Sequence, residues 1–184
     1  MDNGASSYCR FLDGDESGFT ELVEMYAYNL IFFINGFVNN VATAEDLMEE
    51  TFCDLIFYKS RFNGKSLFKT YLFSIARNKA VDFIRKNARA SNVCIDDMEP
   101  QLEDFEQLEN RVVEDEYKMQ INKALVKINP EYRMVLHLIY FEDMTYEQTS
   151  LILHKNSKQI KNLAYRAKQA LKGVMEKEGF VYEE

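Results

Sequence analysis

The chain is poor in the residues that break or staple a fold. Its 184 residues include two prolines, seven glycines, three cysteines and two histidines. So few prolines and glycines leave long stretches free to stay regular. Cys9, Cys53 and Cys94 are far apart, form no CxxC pair and have no histidine close by. That argues against a disulfide framework and a zinc site, and for a reducing cytoplasm as the working compartment. There is no glycine-rich phosphate loop, and His137 and His154 stand alone at helical positions. A core role is expected for His137, and no catalytic residue, metal ligand or cofactor is expected anywhere. No signal-peptide pattern opens the chain. The longest apolar run, Leu30 to Val38, is broken by Asn35 and Gly36 and is too short to insert across a membrane. No segment alternates polar and apolar residues as a half-buried strand does.

What is present is helical periodicity, with 47% apolar residues to build a core. The spacing predicts an all-α chain of two small helical domains, at residues 1–90 and 113–184, joined by an acidic flexible linker at 91–112. The first domain should hold a helix from Glu16 to Phe37. A second runs from Thr43 to about Arg61, with Thr43 and Asp46 spaced like a capping box and Leu47, Phe52, Leu55 and Ile56 facing inward. A third runs from Leu67 to about Lys86, with Ser66 as its N-cap. The second domain should begin with a helix from Val113 to Lys127. Asn129-Pro130 breaks the chain before a helix from Glu131 to Phe141 that packs Val135, Leu136, Ile139 and Tyr140.

The net charge of −8 speaks against nucleic acid until its distribution is read. Residues 1–58 carry one base and eleven acids, 59–90 nine bases and one acid, 91–117 one base and ten acids, and 118–184 eleven bases and eight acids. A polyanion responds to the potential within a Debye length of about 8–10 Å, so these blocks outweigh the total. Glu45, Asp46, Glu49, Glu50 and Asp54 give the second helix an acidic outer surface. It is either a solvated face or a docking surface for a basic partner. The loop from Lys59 to Lys65 and the helix after it interleave cations with aromatics, which suits core packing first, for any one ring, and also bases stacked on rings beside a phosphate track.

Thr145 to Lys172 reads as helix, turn, helix. Thr145 caps the first helix, in which Tyr146, Thr149, Ser150 and Leu153 share one face. His154 to Asn156 forms the turn, and Asn156 or Ser157 caps the second helix. Ile160, Leu163, Ala164, Ala167 and Leu171 then face inward, while Lys158, Gln159, Lys161, Asn162, Tyr165, Arg166 and Lys168 face out. Such a helix lies in the DNA major groove, where Lys and Arg meet phosphates or guanine and Asn and Gln match adenine. The plainer alternative is a solvated amphipathic helix.

In order along the chain, AEDLMEETF (44–52), SLFKTYLFSIARNKAVDFIR (66–85), NPEYRMV and TYEQTSLILHKNSKQIKNLAYRAKQAL resemble bacterial sigma factors of the extracytoplasmic-function type, within the sigma-70 family. The likeness covers residues 15–90 and 115–175. It implies a non-enzymatic promoter-specificity subunit whose partners are promoter DNA and RNA polymerase core, through its clamp helices and flap. Asp46, Glu49, Glu50 and Asp54 match the positions that bind polymerase. Lys59, Arg61, Phe62, Asn63, Lys65, Tyr71, Arg77, Asn78, Lys79, Asp82 and Arg85 match those that open the minus-ten element and capture a non-template base. Lys158, Gln159, Lys161, Asn162, Tyr165 and Arg166 match the helix that reads the minus-thirty-five duplex. The resemblance also implies a cytoplasmic protein, on the nucleoid when active, and an anti-sigma factor that restrains it and can hold it at the membrane. Tyr71 replaces the usual tryptophan, Gln148-Thr149-Ser150 the usual Glu-Ile-Ala, His154 the usual turn glycine and Gln159-Ile160 the usual Thr-Val. A stand-alone helix-turn-helix regulator is the runner-up, and it has no use for the first domain.

Overall fold

The computed structural model describes residues 3–58, 62–91 and 116–179. Every regular element among them is helical, and they fall into two compact units that divide near residue 97. The acidic linker expected at 91–112 lies outside the described residues apart from Ser91, which ends a helix.

The first unit contains α1 (Asn3–Leu12), α2 (Glu16–Val38), α3 (Val41–Phe57) and α4 (Phe68–Ser91). Helix α1 is not among the elements expected from the sequence. Its inner face is made of small residues and aromatic rings, Gly4, Ser7, Tyr8 and the half-buried Phe11, whose ring lies 5.2 Å from Phe19 of α2, so no aliphatic stripe announces it. It docks closely because α2 offers Gly18, where an added Cβ would lie 2.3 Å from the Ser7 carbonyl oxygen. Arg10 ties the pair together by donating to Asp15 at 2.9 Å and to Glu21 at 2.9 and 3.0 Å. Ser7 donates to the same Glu21 at 2.7 Å. Asp15 also caps α2 by accepting from the Ser17 backbone N–H at 3.0 Å.

Helix α2 ends on Asn39 in the left-handed region (φ 52°), a conformation asparagine tolerates better than most residues. Asn40 comes next as the cap of α3, accepting from the Thr43 N–H at 2.8 Å. The helix therefore starts two residues before Thr43, because an asparagine carbonyl is already in place to take the free donor. It stops at Phe57, short of Arg61, and Ile56 in its last turn is exposed rather than inward-facing. Helix α4 begins one residue later than expected and runs on to Ser91. Leu22, Leu30, Phe33 and Ile34 of α2, Leu55 of α3 and Leu72, Phe73 and Ala76 of α4 fill the core. The rings of Phe33 and Phe73 lie 5.2 Å apart.

The second unit contains α5 (Glu116–Val126), α6 (Pro130–Leu136), a π-helical turn (His137–Phe141), most of α7 (Tyr146–Leu153) and all of α8 (Ser157–Lys177). Asn129 accepts from the Glu131 N–H and Pro130 opens α6, as the sequence predicts. Arg133 is 1% exposed, and its Nη2 donates at 3.0 Å to the Val126 carbonyl at the end of α5. Burial lowers its pKa to about 10, so it stays charged at neutral pH. The π-helical turn adds a residue to one turn and rotates the side chains beyond it about the helix axis. Tyr140, expected inside, is therefore exposed, and the Lys168 ammonium sits 4.6 Å from its ring centroid. His137 is a core residue, stacked on Phe141 at 5.6 Å and 3.6 Å from the buried Glu142 carboxylate.

Candidate nucleic-acid interface

In the second unit the helix-turn-helix is set by two reciprocal caps. Thr145 Oγ1 accepts from the Gln148 N–H, and Gln148 Oε1 accepts from the Thr145 N–H. Asn156 and Gln159 repeat the arrangement, at 2.8 and 2.9 Å, at the start of α8. These boxes fix where each helix begins and which way it leaves the turn. Between them His154 adopts φ 54°, a left-handed conformation that glycine reaches without steric cost.

Helix α8 buries Ile160, Ala164 and Ala167 and half-buries Leu163 and Leu171. Its outer surface forms two adjacent rows. Lys158, Lys161, Tyr165, Lys168 and Lys172 recur at three- and four-residue steps, and so do Gln159, Asn162, Arg166 and Gln169. All nine are exposed, Tyr165 by 67%. One row is cationic around a ring; the other is amide-rich around an arginine. Lys172 and Gln169 were missed from sequence, although they continue the same period. The carbonyl half of the Gln159 amide is committed to the cap, where Oε1 accepts the Asn156 N–H. A hydrogen bond with Tyr140 holds Lys168 above the usual lysine range.

In the first unit α4 carries the corresponding surface. Tyr71, Asn78, Asp82, Arg85 and Arg89 fall on one stripe of that helix, with Tyr71 half-buried and the others exposed. Asp82 and Arg85 pair at 3.7 Å. Arg77 sits beside the stripe, half-buried, and its Nη1 donates to Asn78 Oδ1 at 3.3 Å. Burial, and next the neighbouring Arg85, push the Arg77 pKa down. Phe68 and Phe73 are fully buried and the half-buried Phe83 falls off the stripe, so of the aromatics on this helix Tyr71 is the one on the outer stripe. Phe62 is half-buried, with its ring 5.9 Å from Tyr8, 5.5 Å from Phe68 and 5.2 Å from Tyr71. It supports Tyr71 from behind. Tyr8 beneath them donates to the Leu55 carbonyl at 3.4 Å, and burial raises its pKa to about 12. Asn63 and Lys65 are exposed, with Asn63 Oδ1 accepting the Lys65 N–H. Lys59 and Arg61 lie outside the described residues.

Lys79 belongs to a different surface. Its Nζ lies 3.4 Å from Glu50 and 3.3 Å from Asp54, both on α3. On that helix Asp46, Glu49, Glu50, Cys53 and Phe57 are exposed along one stripe. Phe57 closes it with 77% of its surface exposed, a residue that sequence reasoning left unassigned. Among the described residues no His, Cys, Asp and Glu group is placed to hold a metal, and no helix is long and apolar enough to cross a membrane.

The family model for Sigma-70 region 2 matches residues 22–90, and that for Sigma-70, region 4 matches residues 118–171. The chain is 26% identical over 158 residues to the ECF RNA polymerase sigma factor SigM of Bacillus subtilis, covering 84% of this chain and 93% of that one. It is also 26% identical over 166 residues to the RNA polymerase sigma-H factor of Pseudomonas aeruginosa, covering 86% of each. Among solved structures it shares its fold with the sigma factor RpoE of Bartonella quintana, described in complex with the anti-sigma factor NepR, at a TM-score of 0.64 and 22% identity over 86% of this chain and 96% of that one. Both region models match in the order in which the acidic helix, the α4 stripe and the helix-turn-helix occur, and the aligned relatives are sigma factors over most of their length. The chain therefore belongs to the sigma-70 family, as an extracytoplasmic-function RNA polymerase sigma factor that serves promoter recognition.

Proposed function

We propose that the chain binds RNA polymerase core through α3 and directs it to promoters by reading a minus-ten element with α4 and a minus-thirty-five element with α8. The observation that carries this reading is the coexistence in one chain of an exposed acidic helix face and two exposed cationic helix faces. Asp46 and Glu49, with Phe57 at the end of their stripe, form the docking face for the polymerase clamp helices; the second unit meets the flap. Tyr71, Asn78, Asp82 and Arg85, with Arg77 beside them, receive the minus-ten non-template strand. Unstacking a base costs a few kcal/mol, and stacking on a ring returns about 1–3 kcal/mol. On α8 the lysine row tracks phosphates while Asn162 and Arg166 read base edges. The protein itself catalyses nothing; binding energy within the polymerase complex opens the strands. By analogy with the RpoE–NepR complex, an anti-sigma protein restrains the chain, and both work in the cytoplasm.

The test is transcription from defined templates with purified polymerase core. Initiation at a fixed start site, dependent on this chain, is the expected outcome. Specific duplex binding without any effect on core would overturn the reading. Asp46→Lys with Glu49→Lys should abolish core binding and spare duplex binding by the second unit's helix-turn-helix. Arg166→Ala should weaken minus-thirty-five binding by about 1–3 kcal/mol in a sequence-dependent way.

A further inference from the structure

We infer that Lys79 is a positioning residue that sets the charge of the polymerase-docking helix, rather than a contact to promoter DNA. The inference rests on the docking role proposed for α3. One ammonium lies 3.4 Å from Glu50 and 3.3 Å from Asp54, carboxylates one turn apart on α3. A side chain next to Asn78 along α4 is turned about 100° from it around the helix. Here that turn takes it off the exposed stripe and toward α3. The Lys79 side chain is 19% exposed, whereas Glu50 is 61% exposed and Asp54 31%. The aliphatic stem is therefore packed away and only the charged tip reaches out, to two acids at once.

Of the four acids expected to bind polymerase, two are thus engaged within the unit. Asp46 and Glu49 are the exposed pair that form no ion pair with a cation of the described residues. A cationic partner that approaches Glu50 or Asp54 has to compete with Lys79 for them. The lysine lowers the negative potential of the docking face and confines its strongest part to the Asp46–Glu49 half. It also ties α3 to α4, so the helix that meets polymerase and the helix that meets DNA are held in one register.

The two roles of Lys79 predict opposite experimental signs. Removing a phosphate contact weakens DNA binding and leaves core binding alone. Removing an internal counter-cation makes the docking face more negative and speeds its encounter with a cationic partner. Lys79→Gln and Lys79→Met, the second keeping the apolar packing, would each be made in the full chain. Association with purified core would be measured by stopped-flow fluorescence, and holoenzyme binding to a minus-ten non-template oligonucleotide by titration. Both variants should associate with core about threefold faster at low ionic strength, with the difference shrinking as salt rises, and should bind the oligonucleotide as the parent does. Unchanged association together with weakened oligonucleotide binding overturns the inference and makes Lys79 a DNA contact. Glu49→Lys, run in parallel, separates the layers: if it leaves core binding intact, the docking role of α3 fails and the Lys79 inference falls with it. If Glu49→Lys weakens core binding while neither Lys79 variant alters association, only the inference fails.

Discussion

Glycine-to-alanine substitution should have opposite effects in the two units. At Gly18 an added Cβ would stand 2.3 Å from the Ser7 carbonyl oxygen and 2.9 Å from the Phe11 nitrogen. Ordinary contact begins at 3.4 Å, so α1 and α2 must separate by about 1 Å. The obstacles are backbone atoms, which cannot rotate away as a side chain would. The overpacking penalty then lies at or above the top of its usual range of about 1–3 kcal/mol. Alanine returns up to about 1 kcal/mol of helix propensity. The net loss is about 2 kcal/mol, and for a unit of this size that lowers the midpoint by about 10 °C. The strain would also loosen Tyr8, whose ring lies 5.0 Å from Phe68 and which backs Phe62 and Tyr71. Gly173 on α8 has nothing within 4 Å of a built Cβ. There the same change should stabilise by about 0.5–1 kcal/mol, because the unfolded chain loses freedom and nothing is displaced. Scanning calorimetry of the full chain measures both. A Gly18→Ala protein as stable as the parent, or a destabilised Gly173→Ala protein, would refute the packing argument.

Other outcomes can be checked alongside it. Hydrogen bonds from Ser7 and then Arg10 hold the Glu21 carboxyl below its ordinary range, and those from Ser17 and then Arg10 do the same for Asp15. Depressed carboxylates stabilise the folded state above their unfolded values of 4.5 and 3.8, and that stability is lost as pH falls through the folded values. Arg10→Met should therefore be less stable than the parent at pH 7, with the gap closing in acid denaturation below about pH 4. Asn156→Ala removes one half of the α8 cap and should cost about 1 kcal/mol in urea unfolding. Gln159→Ala should lower stability through the same cap, and a filter-binding assay should show no change of preference at any single base pair. His154→Gly relieves a left-handed non-glycine residue and should raise stability by about 1 kcal/mol or slightly less; a fall in midpoint would tell against that conformation.

Much of the candidate binding surface was legible because it is periodic. The inward row of α8 through Ile160, Ala164 and Ala167, and the outward set from Lys158 to Lys168, come from the 3.6-residue repeat alone. Asn129-Pro130 and the Thr145 cap were equally readable, since capping depends on residues within one turn. Helix α1 was not, because its packing face is glycine, serine, a tyrosine and a half-buried phenylalanine, whose inward orientation is meaningful only against the gap at Gly18. The π-helical turn that exposes Tyr140 also left no local signature.

The sequence by itself determined the helices from α2 onward, the separation of charge into acidic and basic blocks and the outward chemistry of α8, because these depend on neighbours along the chain. Tertiary structure alone decided which charges remain available. Lys79 is the plainest case: by sequence it is one cation in a basic helix beside Arg77 and Asn78, and in the fold it is the counter-ion of Glu50 and Asp54. A charge acts through distance in space, and 29 residues of chain separate Lys79 from Glu50 although only 3.4 Å lies between their charged atoms.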